Sequence, residues 1–247
     1  MGGRTDEDEL ERRAPSGRGV GGSPEDTTPA EVIAAYEAII GLGDAADLGA
    51  EAARMKREFQ RRTGAFGPED PWFETRARAF WDDALTTQGF AALAADHLDG
   101  DTRAPAAIRA IAASLGRAHR GFFLVEEVDD RGAYLVDVWS GAELLVRHLD
   151  ETQALTLEHA EGAMDARVTA GAAGADLFLL PGAYHHSPDA LEPAQRVLLA
   201  AQDRGMSTQD ALDALMRMDL VFRSSSRVKA GFAYRVEGLA AAPHRAP

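Results

Sequence analysis

From Ala30 to Leu115 the apolar residues recur every three or four positions, the spacing of one face of an α-helix. Val32, Ile33, Tyr36, Ile39 and Ile40 form the first such face. It opens on Thr28-Pro29-Ala30-Glu31, where the Thr28 hydroxyl and Glu31 carboxylate can satisfy exposed helix amides and Pro29 takes the first helical position. Gly41 or Gly43 ends it. A second helix is predicted over 45–62, with Leu48, Ala52, Met55 and Phe59 inward and Gly64 as its stop. The third begins at Asp70-Pro71, with Asp70 as cap, and sets Trp72, Phe73, Ala77, Phe80, Trp81, Ala84 and Leu85 on a broad apolar face. Glu74, Arg78 and Asp82 form an i, i+4 ladder on another side, worth a few tenths of a kcal/mol per pair. Shorter helices are predicted over 90–98 and 105–115.

At Gly121 the period changes from 3.6 to 2. Residues 122–128, 133–139 and 143–149 read as strands, joined by Asp129-Asp130-Arg131-Gly132 and by a tight Ser140-Gly141 turn. Residues 163–169 alternate, with Met164, Ala166 and Val168 on one side and Asp165, Arg167 and Thr169 on the other. A fifth strand over 176–184 is interrupted by Pro181, which predicts a bend or an edge position. Helical spacing returns after Pro193 with Val197, Leu198, Leu199 and Ala201. Ser207 then caps a last helix containing Leu212, Leu215, Met216 and Phe222. The stretch 223–235 is ambiguous between helix and strand.

The predicted fold class is α+β: a helical N-terminal half, a small five-stranded antiparallel barrel or curled sheet, and C-terminal helices. Its units are a disordered tail over 1–28, a helical domain over 29–117, a β domain over 118–190 and a C-terminal segment over 191–247. The tail follows from Gly, Pro, Ser and mixed charge with almost no apolar residue to offset ordering entropy.

Composition narrows the functional classes. No apolar run approaches the 18 or so residues of a membrane span, and the polar start resembles no secretory signal. The absence of cysteine excludes disulfides, thiolate metal sites and Cys nucleophiles. A cytoplasmic location is therefore expected. The net charge is −14, but it is uneven: residues 117–190 carry 13 acids against 5 bases, and residues 191–247 carry 6 against 8. An acidic surface disfavours phosphate backbones and anionic membranes, which are bound by neutralising charge. The abundance of arginine over lysine (only Lys56 and Lys229) fits a GC-rich genome better than a special use of guanidinium.

Candidate chemistry is sparse. Trp72 and Phe73 start an aromatic-rich helix that reads either as core or as a partner-binding face, since large aromatics dominate interface hot spots. His185 and His186, followed by Ser187-Pro188-Asp189, are the best catalytic candidates: two imidazoles and the Asp189 carboxylate suit a metal or a general base. Adjacent extended residues point to opposite sides, however, so both rings cannot easily reach one ion. No zinc spacing, nucleophile elbow or phosphate-binding glycine loop is present. The basic stretch with Arg223, Arg227 and Lys229 has no acid between Asp219 and Glu237; it could contact phosphates or an acidic protein, but docking onto the chain's own acidic barrel is the simpler account.

The phrases FGPEDPWFETRARAFWDD (66–83) and LFLLPGAYHHSPDA (177–190) resemble segments of uncharacterised bacterial proteins of unknown function. The resemblance covers about half the chain and implies no assigned active site.

These readings favour a non-enzymatic protein-interaction module with a protein partner, without cofactor, metal or membrane. The alternatives are a metal-dependent or acid–base hydrolase at His185 and His186, and a nucleic-acid binder using the basic C-terminal stretch.

Overall fold

The structure, a computed structural model, describes residues 27–45, 48–99, 106–171, 174, 176–225 and 227–239. Of the predicted tail only Thr27 and Thr28 fall among them, and both are ordered. Thr27 is buried beside Gly171, and Thr28 caps the first helix.

Helix α1 (Pro29–Gly41) starts as its spelling predicts. The Glu31 amide donates to Thr28 Oγ1 at 3.3 Å, and the Glu31 carboxylate accepts from the Thr28 amide at 2.8 Å. Helices α2 (Gly49–Thr63), α3 (Phe73–Thr86), α4 (Phe90–Asp99) and α5 (Ala106–Leu115) follow. The start of α3 differs from expectation. Asp70 accepts from the Gly67 amide behind it at 2.7 Å and closes a turn, so the helix begins at Phe73 with no side-chain cap.

The sheet contains β1 (His119–Asp129), β2 (Gly132–Asp137), β3 (Glu143–Val146), β4 (Met164–Ala170), β5 (Leu177–Leu179) and β6 (Tyr184–His185). All strand pairs are antiparallel, in the order β3-β2-β1-β4-β5, with β6 also on β4. The sheet curls until its ends approach: the Arg147 amide donates to the Leu177 carbonyl at 2.7 Å, beyond the end of β3. The predicted fifth strand is delivered as two pieces, β5 and β6, because Pro181 has no amide to donate and Gly182 turns away. The Gly182 amide instead donates to the Asp82 carboxylate at 3.0 Å. A Cβ on Gly182 would lie 2.5 Å from the Arg78 carbonyl oxygen, so only glycine fits this approach.

Helix α6 (Glu151–Glu158) lies between β3 and β4, where the sequence reading placed none. Asp150 caps it by accepting from the Gln153 amide at 2.7 Å. Its apolar residues do not align on one face, and Leu155 is 49% exposed while Leu157 is buried, so periodicity gave no warning. After the sheet come α7 (Leu191–Asp203), α8 (Thr208–Arg223) and the short α9 (Ala230–Ala233). Ser207 caps α8 as predicted, accepting from Asp210.

Three apolar clusters hold these elements together. One joins α1–α5 to Leu149, Phe178, Leu180, Tyr184 and Met216. A second packs α7 and α8 onto Phe122. The third fills the curled sheet with Phe123, Leu135, Val146, Met164, Ala166 and Val168.

Candidate functional site

The polar face of β4 is covered, not solvated. Every residue from Met164 to Thr169 is buried. Burying Asp165 and Arg167 requires charged partners, because an unpaired ion in the interior is far too costly. They come from α2, α3, β1 and α8. Arg120 pairs with Asp165 through Nε at 2.9 Å and Nη2 at 2.6 Å, and with Asp213 through Nη1 at 2.7 Å. Arg62 bridges Asp213 at 2.5 Å and Asp83, and Asp83 accepts from Arg167 at 2.8 Å. Three arginines and three aspartates therefore alternate from one β4 residue round to another two positions away. Burial alone would raise Asp83 and Asp165, but the guanidinium groups outweigh it and hold both below the usual carboxylate range.

Asp82, beside this ring, is not part of a surface ladder. It is buried and accepts from the Tyr36 hydroxyl at 2.8 Å as well as from Gly182. Burial pushes its pKa up to about 7, against the opposing pull of Arg167 and the two hydrogen bonds. The expected ladder of Glu74, Arg78 and Asp82 fails at Asp82, which α3 turns into the interior toward Tyr36 and Gly182.

The ring fixes β4, and β4 fixes β6. Asp165 pairs with Tyr184 and Met164 with His185, and the His186 amide donates to the Ala163 carbonyl at 2.8 Å. Tyr184 and His186 share one side of the strand, and His185 takes the other. On the inner side Asp219 of α8 accepts from three groups. These are the Tyr184 hydroxyl, the Tyr234 hydroxyl at 2.8 Å and Arg223 Nε at 2.5 Å. The single Tyr234 proton goes to the carboxylate, so its oxygen accepts from His186 Nδ1–H at 2.7 Å. Burial lowers the His186 pKa and outweighs the raising effect of Asp219 and Asp165. The ring is thus neutral, with its lone pair on Nε2. That nitrogen is buried and has no hydrogen-bond partner among the described residues. Burial also pushes the Tyr184 and Tyr234 hydroxyls well above their ordinary range.

Beside this relay lies a cleft of about 710 Å³ between α6, the turn after β6 and the end of α8. Its walls include Leu155, Pro188 and Phe222, with His159, His185, Glu161 and Arg223 among the polar groups. Arg223 also donates to the His185 carbonyl at 2.6 Å, tying the turn to α8.

The candidates from sequence thus separate. His185 and His186 both line the cleft, facing different surroundings. Asp189 is exposed on a 3-10 turn, and Asp219 is the carboxylate that serves His186. Among the described residues, no group of three or more His, Asp or Glu side chains is placed to hold a metal ion. Trp72 and Phe73 are half-buried. Phe73 packs on Phe66 at 6.0 Å between centroids, and the Trp72 indole N–H is buried with no acceptor among the described residues. Arg227 and Lys229 are exposed and make no ion pair among the described residues. Arg235 lies 5.2 Å over the Phe232 ring, itself 64% exposed.

Sequence reasoning missed Asp219, Tyr184, Tyr234 and α6. Only the i, i+4 spacing of Asp219 and Arg223 offered a local signal. Fold and site together define an α+β protein with a curled antiparallel sheet and a cleft beside a buried histidine–tyrosine–aspartate relay. No protein-family model, curated protein or solved structure matches the chain. Among the described residues, no helix is long and apolar enough to cross a membrane.

Proposed function

We propose that the protein is a cytoplasmic, non-enzymatic interaction module whose contact surface is the cleft and the basic stretch beside it. One observation carries this reading: exposed apolar and cationic side chains adjoin there. Leu155, 49% exposed, and Phe222 line the cleft with Arg223, and Phe232, 64% exposed, lies in the basic stretch beneath Arg235. Arg223, Arg227, Lys229 and Arg235 supply positive charge on a chain that is otherwise acidic. Apolar anchors within a cationic rim suit an acidic partner segment with an apolar residue. The half-buried Trp72 and Phe73 are the weaker contact candidates, because α3 spends most of its aromatic face on the core.

Affinity capture from native cytoplasm tests the reading. Wild-type protein should retain a partner that the Arg227→Glu/Lys229→Glu variant loses. Equal retention by both would contradict this surface, and nucleic acid as the retained species would contradict the protein partner.

A second reading is favoured by His186 alone. A neutral imidazole with Nδ1 held by Tyr234 and an unpartnered Nε2 has the form of a general base, one that a substrate reaches only when the cleft wall over the buried Nε2 opens. His186→Gln should then abolish turnover of any substrate found for the cleft while leaving partner capture intact.

A further inference from the structure

The chain itself contains a segment of the chemistry this surface selects. Residues 6–11, Asp-Glu-Asp-Glu-Leu-Glu, carry five acids, no base and one large apolar residue, Leu10. Residues 223–235 carry four bases and no acid. Even a chain with net charge −14 therefore holds one matched pair of opposite segments.

Position favours their meeting. Thr27 is packed beside Gly171, and Pro29 lines a second cleft together with Asp150, Glu151 and Ala154 at the start of α6. The first cleft borders the same helix from Thr152 and Leu155 through Thr156 to His159. Helix α6 has 8 residues, so the two ends lie about 12 Å apart. The 16 residue steps from Glu11 to Thr27 reach at most about 55 Å when fully extended. That reach exceeds the separation several-fold. Tethering also converts the contact into an intramolecular event, at an effective concentration that reaches the millimolar range for short linkers.

The geometry points to docking of residues 6–11 on the cleft and basic stretch of the same chain, where they exclude a partner's acidic segment. Leu155 and Phe222 offer an apolar surface that suits the one large apolar residue of the segment, and Arg223, Arg227, Lys229 and Arg235 offer the charge that suits its acids. The docking rests on the reading of this face as a contact surface. It deepens that reading by naming an occupant and a competition.

Only two lysines are present, which makes the contact readable by zero-length carbodiimide cross-linking of the full chain. An amide between Lys229 and one of Asp6, Glu7, Asp8, Glu9 or Glu11 should form in the monomer. Its yield should not change on tenfold dilution, and should fall several-fold in 0.5 M salt, as screening of exposed charges requires. Arg223→Gln/Arg227→Gln should lower it while leaving Lys229 in place. Cross-links from Lys56 to the same acids at equal yield, or from Lys229 only in dimers, would overturn the proposal. A chain that lacks the Lys229 amide yet retains its partner through Arg227 and Lys229 overturns the docking and spares the contact surface. A chain with the amide and no partner sensitive to those residues has the reverse outcome.

Discussion

Two groups of cations in this protein stand in contrast. Arg62, Arg120 and Arg167 lie against the polar face of β4 and are paired with Asp83, Asp165 and Asp213. Arg227 and Lys229 follow α8 and stand in solvent without an ion pair among the described residues. The first set holds five elements in register and leaves little charge for anything outside. The second set holds nothing in place and presents its charge outward. Arg223 stands between them, giving Nε to Asp219 while its side chain remains 34% exposed. Saturation of partners, more than residue type, separates the two sets.

The largest expected effect comes from breaking the ring. Arg120→Met removes the cation shared by Asp165 and Asp213 and leaves two buried carboxylates short of a partner. Breaking a buried pair in this way costs about 3–5 kcal/mol, which a chemical denaturation midpoint will report. Gly182→Ala should come next. Its methyl would press on the Arg78 carbonyl and the Asp82 carboxyl, an overpacking that costs about 1–3 kcal/mol. The same midpoint measurement checks it.

Asp82 provides a pH test of the interior. Its folded pKa is raised to about 7, so the native state holds a proton that the unfolded state has already released. Stability should therefore fall as pH rises from about 4 to about 7, with each pKa unit worth about 1.4 kcal/mol. Measured against Asp82→Asn at each pH, wild type should lose stability across that window and level off above it. A flat difference would mean that the carboxyl is ionised throughout. The smallest effect belongs to the exposed set. Arg227→Glu/Lys229→Glu should change stability by no more than about 0.5 kcal/mol per site, even as it removes the partner.

The same contrast explains what the sequence disclosed. Capping boxes and alternating strands are local, so α1, the cap of α8 and four strands were legible from Thr28, Glu31, Ser207 and the period change at Gly121. The α+β class followed from their order. The split after β5 was visible only as Pro181, because its cause is the approach of Asp82, which lies 100 residues away from Gly182. Asp165 and Arg167 carried the right alternation but no sign that both sides of β4 would be covered. At the site, His185 and His186 were found as types, whereas Asp219 and Tyr234 reach His186 only through packing of α8 and the residue that closes α9. Asp189, the nearer acid in sequence, points to solvent. Proximity along the chain was a poor substitute for proximity in space.

Hydrogen exchange along the full chain, with and without the captured partner at saturation, tests the contact surface most directly. The account predicts that amides of α6 and of residues 223–235 slow by tenfold or more on binding, while residues 64–85 are unchanged. Slowing confined to 64–85, around Trp72 and Phe73, would contradict it.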